Sequence, residues 1–204
     1  MSSDWFELQL AASPVLVILR GLGPARSVEL AERAWAAGVP LVEIPLQRPD
    51  DALALRAVRA AGGTRPVGAG TVLDVGDLDA AAGAGADFAV SPGVDTAVLA
   101  EAAARGIPLL PGVATATDIQ TCLTHGYRWL KAFPAAQLGT GWFAAMRGPF
   151  PDVSFVATGG VTPAEAADYL AAGARAVALG SAFAGEDAVA GVAALLAGPA
   201  QGAR

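Results

Sequence analysis

Eight times along this chain a short apolar run is followed by an alanine-rich segment of helical period, and that alternation constrains the fold more than any other feature. The apolar runs occupy residues 15–19, 41–46, 66–71, 87–90, 107–110, 127–133, 154–157 and 176–179. The segments between and after them, at 24–37, 49–61, 75–82, 95–104, 117–124, 141–147, 163–172 and 186–197, repeat apolar residues at helical spacing. Strands that alternate with helices pair in parallel through right-handed crossovers. Eight such units predict a small α/β protein, a closed (β/α)8 TIM barrel, with an open doubly wound sheet as the competing topology. Pro24, Pro49 and Pro163 stand near helix starts, and Gly38, Gly83, Gly106, Gly126 and Gly173 just past helix ends. A short helix over residues 4–12, capped by Ser3 or Asp4 and packing Trp5, Leu8 and Leu10, is expected to close one end of the barrel. No linker or low-complexity stretch interrupts the 204 residues, so residues 1–204 are expected to form one domain.

Composition narrows the partners. A formal charge of −6 and a pI near 4.7 disfavour nucleic acid and anionic membrane, both of which reward basic patches. The hydrophobic fraction of 54% comes largely from alanine, and no stretch has the Leu/Ile/Phe-rich length that spans a bilayer. The opening residues 1–5 show no cationic leader followed by an apolar run, and the single cysteine, Cys122, cannot close an internal disulfide. A soluble, cytoplasmic protein is expected. With one histidine, His125, and no His/Cys cluster, neither a metal nor another cofactor is expected.

In a barrel of this kind chemistry gathers at the carboxyl ends of the strands. Lys131 is the only lysine among thirteen long cations, and it interrupts the apolar run 127–133. Burial would disfavour its ammonium form and leave a neutral amine able to attack a carbonyl, chemistry that arginine cannot perform. The plainer alternative is a snorkelling or salt-bridged lysine at a strand end. Glu43 is the other charge that breaks an apolar run. It is either the neutralising partner of Lys131 or the group that shuttles protons to an imine intermediate and to the substrate oxygen. Arg20, closing the first run, offers a planar fork for a carboxylate, with a surface ion pair as the alternative. Near the C-terminus, Thr158-Gly159-Gly160 and Gly180-Ser181 end the last two runs. Their glycines either make tight turns or let backbone amides approach a phosphate, which barrels of this class frequently bind at that position.

Taken in order, the chain resembles the class I aldolases for 2-keto-3-deoxy-6-phosphogluconate (KDPG) and 2-keto-3-deoxy-6-phosphogalactonate (KDPGal), with the related 4-hydroxy-2-oxoglutarate (KHG) aldolase. The motifs that carry this are Ile18-Leu19-Arg20-Gly21, Val42-Glu43-Ile44-Pro45-Leu46, Gly68-Ala69-Gly70-Thr71-Val72, Ser91-Pro92-Gly93, Pro111-Gly112, Leu130-Lys131-Ala132-Phe133-Pro134-Ala135 and Thr158-Gly159-Gly160. The resemblance implies a homotrimeric barrel enzyme in which Lys131 forms a Schiff base and Glu43 donates and accepts protons. It implies that Arg20 and Thr71 bind the pyruvate carboxylate, Pro92 and Phe133 line the pocket, and Gly159, Gly160, Gly180 and Ser181 hold a phosphate. The expected reaction is cleavage of KDPG, or its galactonate epimer, to pyruvate and glyceraldehyde 3-phosphate. Cleavage of 4-hydroxy-2-oxoglutarate is the alternative within the family. A phosphate-binding isomerase or synthase without an imine, and a non-catalytic binding protein, are the alternatives outside it. The motifs are mixed between the two sugar acids. Glu43-Ile44-Pro45-Leu46 and the Arg20 motif look galactonate-like, whereas Phe133-Pro134-Ala135 and Thr158 look gluconate-like, and Gln47-Arg48-Pro49 matches neither. Thr158 offers a hydroxyl that could select the epimer at carbon four, which favours the gluconate form.

Overall fold

The computed structural model describes residues 2–180, 183 and 186–197. Nine strand segments, β1 (Val15–Ile18), β2 (Leu41–Pro45), β3 (Val67–Gly70), β4 (Phe88–Val90), β5 (Leu109–Leu110), β6 (Gly112–Val113), β7 (Trp129–Ala132), β8 (Ser154–Thr158) and β9 (Ala176–Leu179), lie side by side in the order β5-β4-β3-β2-β1-β9-β8-β7-β6. Every pairing is parallel. β5 and β6 are separated only by Pro111 and together make one stave, β5 bonding to β4 and β6 to β7, so the ring closes with eight staves. Proline has no N–H to give, which breaks the ladder at that point. Its carbonyl still accepts from Lys131 N–H at 2.8 Å, and Ser91 N–H donates to Leu110 at 3.2 Å, so both neighbouring staves remain attached.

The helices are α1 (Ser2–Leu10), α2 (Gly23–Ala36), α3 (Asp51–Gly62), α4 (Val75–Gly83), α5 (Thr96–Arg105), α6 (Ala116–Thr124), α7 (Ala135–Leu138), α8 (Thr140–Arg147), α9 (Ala166–Ala171) and α10 (Glu186–Ala197). Local chemistry fixes several starts. Asp74 accepts from Asp77 N–H, Asp95 from Val98 N–H, and Thr115 with Asp118 forms a full capping box. Three expectations shift. The N-terminal helix begins at Ser2, which places Ser3 and Asp4 inside it rather than at its cap. The segment expected as one helix over 141–147 is preceded by an extra turn, α7. The helix expected from Pro163 begins only at Ala166, because residues 161–165 form a turn in which Glu165 accepts from the Thr162 N–H and hydroxyl.

The period of two along each strand sorts the side chains into two cores. Val15, Val17, Val42, Ile44, Val67, Ala69, Leu130, Ala132, Phe155, Ala157, Val177 and Leu179 face the helices. Leu16, Ile18, Leu41, Phe88, Val90, Leu110, Trp129, Val156, Ala176 and Ala178 fill the barrel. Glu43 and Lys131 fall in the inward phase, at 1% and 4% exposure. The register couples them to their neighbours, Ile18 beside Glu43 beside Gly68, and Gly112 beside Lys131 beside Val156.

α1 closes the end of the barrel where the strands begin. Its plug is Phe6, fully buried, edge-on to Phe88 with centroids 5.9 Å apart and 6.3 Å from Trp129, with Trp5 against Phe88 at 5.4 Å. Leu10 is buried as expected, but Leu8 stands 75% exposed. Phe6 and Leu10, four residues apart, share the inward face, and Leu8, half a turn away from both, falls on the outer one.

Candidate active site

At the carboxyl ends of the strands a cavity of about 580 Å3 opens, walled by Ile18, Leu19, Arg20, Leu22, Lys131, Phe133, Thr158, Gly159, Gly160, Val161, Thr162 and Gly180. Seven of the residues singled out from sequence therefore meet in one space: Arg20, Lys131, Phe133, Thr158, Gly159, Gly160 and Gly180. Lys131 is brought in by the inward phase of β7, and its Nζ lies 5.0 Å from the centroid of the Phe133 ring. The Phe133–Pro134 peptide that follows is cis.

Glu43 does not form part of that wall. It lies within the barrel, one stave from Gly70, and the glycine is what admits it: a Cβ at position 70 would fall 1.9 Å from Glu43 Oε1. That oxygen is buried and has no hydrogen-bond partner. Burial pushes the Glu43 carboxyl above its ordinary value, an effect that the positive charges of Lys131 and Arg20 only partly offset. Burial likewise pulls the Lys131 amine below its ordinary value, opposed by Glu43 and reinforced by Arg20. Desolvation thus shifts both groups toward their neutral forms. The attraction between the two charges works the other way in both groups and is outweighed by burial.

Thr71 and Pro92 sit at the ends of β3 and β4, outside the wall of the main cavity. Thr71 has φ +64, the one described non-glycine residue in the left-handed region, and a β-branched residue there is strained. The Val72 N–H to Val90 bond and the Leu46 N–H to Gly70 bond hold the backbone on either side of it. Pro92 is packed over the fifth stave, where a Cβ at Gly112 would lie 2.3 Å from the Pro92 carbonyl. Ser181 lies outside the described residues.

Thr158 is 2% exposed and donates its hydroxyl proton to the Val156 carbonyl at 3.2 Å, leaving oxygen lone pairs for a ligand. Gly159 has φ +95 and Gly160 φ +77, conformations that favour glycine. A Cβ at Gly160 would come within 2.6 Å of the Ala136 Cβ, so a side chain there would disturb the fold before it blocked a ligand. Cys122 is no rival nucleophile, since burial pushes its thiol up to about 12. Among the described residues no cluster of His, Cys, Asp or Glu could hold a metal ion, and no helix is long and apolar enough to cross a membrane.

Sequence reasoning missed the apolar part of the wall, Ile18, Leu19, Leu22 and Val161, whose signal is that of any core residue. It also missed the contact of Gln47 with Arg20, whose Nη1 donates to Gln47 Oε1. The departure of Gln47 from both sugar-acid motifs was the one available signal.

The sequence model of a protein family described as "Aldolase: KDPG and KHG aldolase" matches residues 7–193. The chain belongs to the KDPG and KHG aldolase family. It is 43% identical to a 2-dehydro-3-deoxy-phosphogluconate aldolase of Pseudomonas aeruginosa over 162 residues, 78% of this chain and 71% of that protein. It is 36% identical to the 2-dehydro-3-deoxy-6-phosphogalactonate aldolase of Escherichia coli over 170 residues, 82% of this chain and 83% of that protein. Among solved structures it is similar to the KDPG aldolase of Legionella pneumophila, in which pyruvate was captured at low pH as a covalent carbinolamine. That match has a TM-score of 0.81 and 33% identity, over 92% of this chain and 93% of the other.

For a family aldolase with this site, Glu43→Gln separates the two roles of the carboxylate. Because the folded value of Glu43 is raised, its contribution to stability is fully present below the ordinary 4.5 and is lost as pH rises through the raised value. The amide cannot ionise, so the stability of the variant relative to the parent should rise with pH across that window, while turnover falls by roughly two to four orders of magnitude. Denaturation midpoints at several pH values and steady-state rates check this. Lost stability with activity largely retained would reduce Glu43 to a counter-charge.

Proposed function

We propose that this family aldolase cleaves KDPG, or its galactonate epimer, to pyruvate and glyceraldehyde 3-phosphate through a Schiff base on Lys131. The observation that carries the reading is the buried, desolvated amine of Lys131 in the cavity wall, electrostatically coupled to an equally desolvated Glu43. The neutral amine attacks the C2 carbonyl of the 2-keto acid and forms a carbinolamine. Protonated Glu43 assists the departure of that hydroxyl as water, leaving an iminium and a Glu43 carboxylate. The carboxylate then takes the proton of the C4 hydroxyl, the C3–C4 electron pair flows into the iminium, and the aldehyde product departs. Glu43 returns its proton to C3 of the enamine, and water hydrolyses the resulting iminium to pyruvate and free Lys131. An isomerase or synthase without an imine would have no need of a desolvated amine at this point.

The two ends of the substrate find different chemistry. Arg20, exposed at the mouth, is the receptor for the carboxylate, with Thr71 as a second contact and Pro92 and Phe133 bounding the pyruvyl unit. Gly159, Gly160 and Gly180 line the wall with backbone, and together with Ser181 they take the terminal phosphate. The chain is proposed to work in the cytoplasm, as its composition leads one to expect, and to form the homotrimer that the family resemblance implies; light scattering should give three times the chain mass, and the mass of a monomer would overturn that assembly.

Trapping decides the chemistry. Borohydride reduction in the presence of pyruvate should add one pyruvate remnant to Lys131, with no adduct in Lys131→Met. Modification confined to the N-terminal amine would overturn the mechanism.

Selectivity between the epimers rests on Thr158, whose hydroxyl can turn from the Val156 carbonyl to donate to the C4 oxygen while Glu43 takes the C4 hydroxyl proton. The gluconate epimer should be preferred in kcat/KM, and Thr158→Val should move the ratio toward unity, by up to about tenfold. A preference for the galactonate epimer, or an unchanged ratio in the variant, removes Thr158 as selector.

A further inference from the structure

The turns that follow β1 and β2 are locked together in a way the reaction itself does not require. Arg20 stands exposed at the mouth, and a long side chain there is free to sample many rotamers unless something holds it. What holds it is Gln47, 27 residues away, whose Oε1 accepts from Arg20 Nη1. Gln47 is in turn fixed by its backbone. Its N–H donates to Asp51 Oδ2 at 3.0 Å, the Arg48 N–H to the same oxygen at 2.8 Å, and Arg48 Nη2 to Oδ1 at 3.1 Å. Asp51 is only 3% exposed. Burial works to raise its carboxyl, but the hydrogen bonds from Gln47 and Arg48 outweigh that and hold it below its ordinary value, so it stays ionised as the anchor of the turn. The Arg48 guanidinium that it grips is pressed onto Gly21, where a Cβ would lie 2.9 Å from Nη2. A fixed cation therefore stands against the residue next to Arg20 and disfavours rotation of the Arg20 guanidinium to that side.

We infer that Gln47 is a positioning residue for Arg20: by occupying one guanidinium edge from a turn anchored on Asp51, it aims the remaining donors of the fork at the substrate carboxylate. A neutral amide suits this task. It accepts a hydrogen bond without neutralising the cation, whereas a carboxylate at position 47 would compete with the substrate for it. The inference rests on the reading of Arg20 as the carboxylate receptor, and the experiment keeps the two apart.

The measured quantity is the half-saturating concentration for borohydride inactivation, with pyruvate as one probe and its neutral methyl ester as the other. In Gln47→Leu, pyruvate should bind about tenfold more weakly, the scale of one hydrogen bond to a charged group, with the ester affected less than twofold and the limiting inactivation rate retained. In Gln47→Glu the weakening for pyruvate should be greater still, again sparing the ester. Arg20→Ala should weaken pyruvate binding by itself, and adding Gln47→Leu to it should cost nothing more. If Arg20→Ala weakens pyruvate binding but Gln47→Leu does not, or if the two effects add, Gln47 does not act through Arg20. If Gln47→Leu weakens ester and acid alike, its role is only to support the turn, and the inference falls. If Arg20→Ala leaves pyruvate binding unchanged, the receptor reading and the inference fall together.

Discussion

Removing Lys131 and Glu43 from water is the constraint on which the rest of this barrel depends. Two ionisable groups inside a cylinder of Leu, Val, Phe and Ala side chains are costly in their charged forms, and direct pairing does not reliably recover that cost. The chain meets the difficulty by letting both groups relax toward neutrality. Space for the carboxyl comes from glycine. Gly70 has no side chain where the Glu43 carboxyl lies, while Gly112, the register neighbour of Lys131, makes room for the Pro92 carbonyl. The apolar plug at the opposite end, built on Phe6, Phe88 and Trp129, closes the barrel beneath the pair. A site whose reactivity comes from dehydration needs its floor sealed as much as its mouth shaped.

The mouth is asymmetric in kind. On the side of β1 and β2 it presents side-chain cations held in a hydrogen-bonded turn. On the side of β8 and β9 it presents glycine backbone between the uncharged side chains of Thr158, Val161 and Thr162. In the proposed reading, a substrate with a carboxylate at one end and a phosphate at the other is oriented by that difference, with its keto carbon over Lys131. The similarity to both gluconate and galactonate aldolases fits this division, since the two sugar acids share their ends and differ only at a hydroxyl in the middle.

The strands and the inward charges were legible because strands write their register in period two, and a charge that breaks an apolar run leaves a mark. Lys131 and Glu43 were found for that reason. The fifth stave was read short at residues 107–110, because Pro111 and Gly112 look like a turn, and only the neighbouring staves show that the strand resumes. The choice of Phe6 over Leu8 is one of helix phase, since Phe6 and Leu10 stand four residues apart on one face, and a helix this short with apolar residues on several sides does not declare its inner face. The bond of Arg20 to Gln47 joins residues 27 apart through side chains at two strand ends, and no local pattern encodes it. Nor could sequence show that the Thr158 hydroxyl spends its proton on Val156.

Thr71 carries a consequence for how such a chain changes over generations. A branched residue held at φ +64 keeps the backbone about 1–3 kcal/mol above where glycine or asparagine would rest. Mutant libraries ranked only by survival of heat will therefore enrich those two residues at position 71. Libraries ranked by growth on the sugar acid will retain threonine if its hydroxyl matters. Under the proposed contact of Thr71 with the carboxylate, the two kinds of screen pull this one codon in opposite directions.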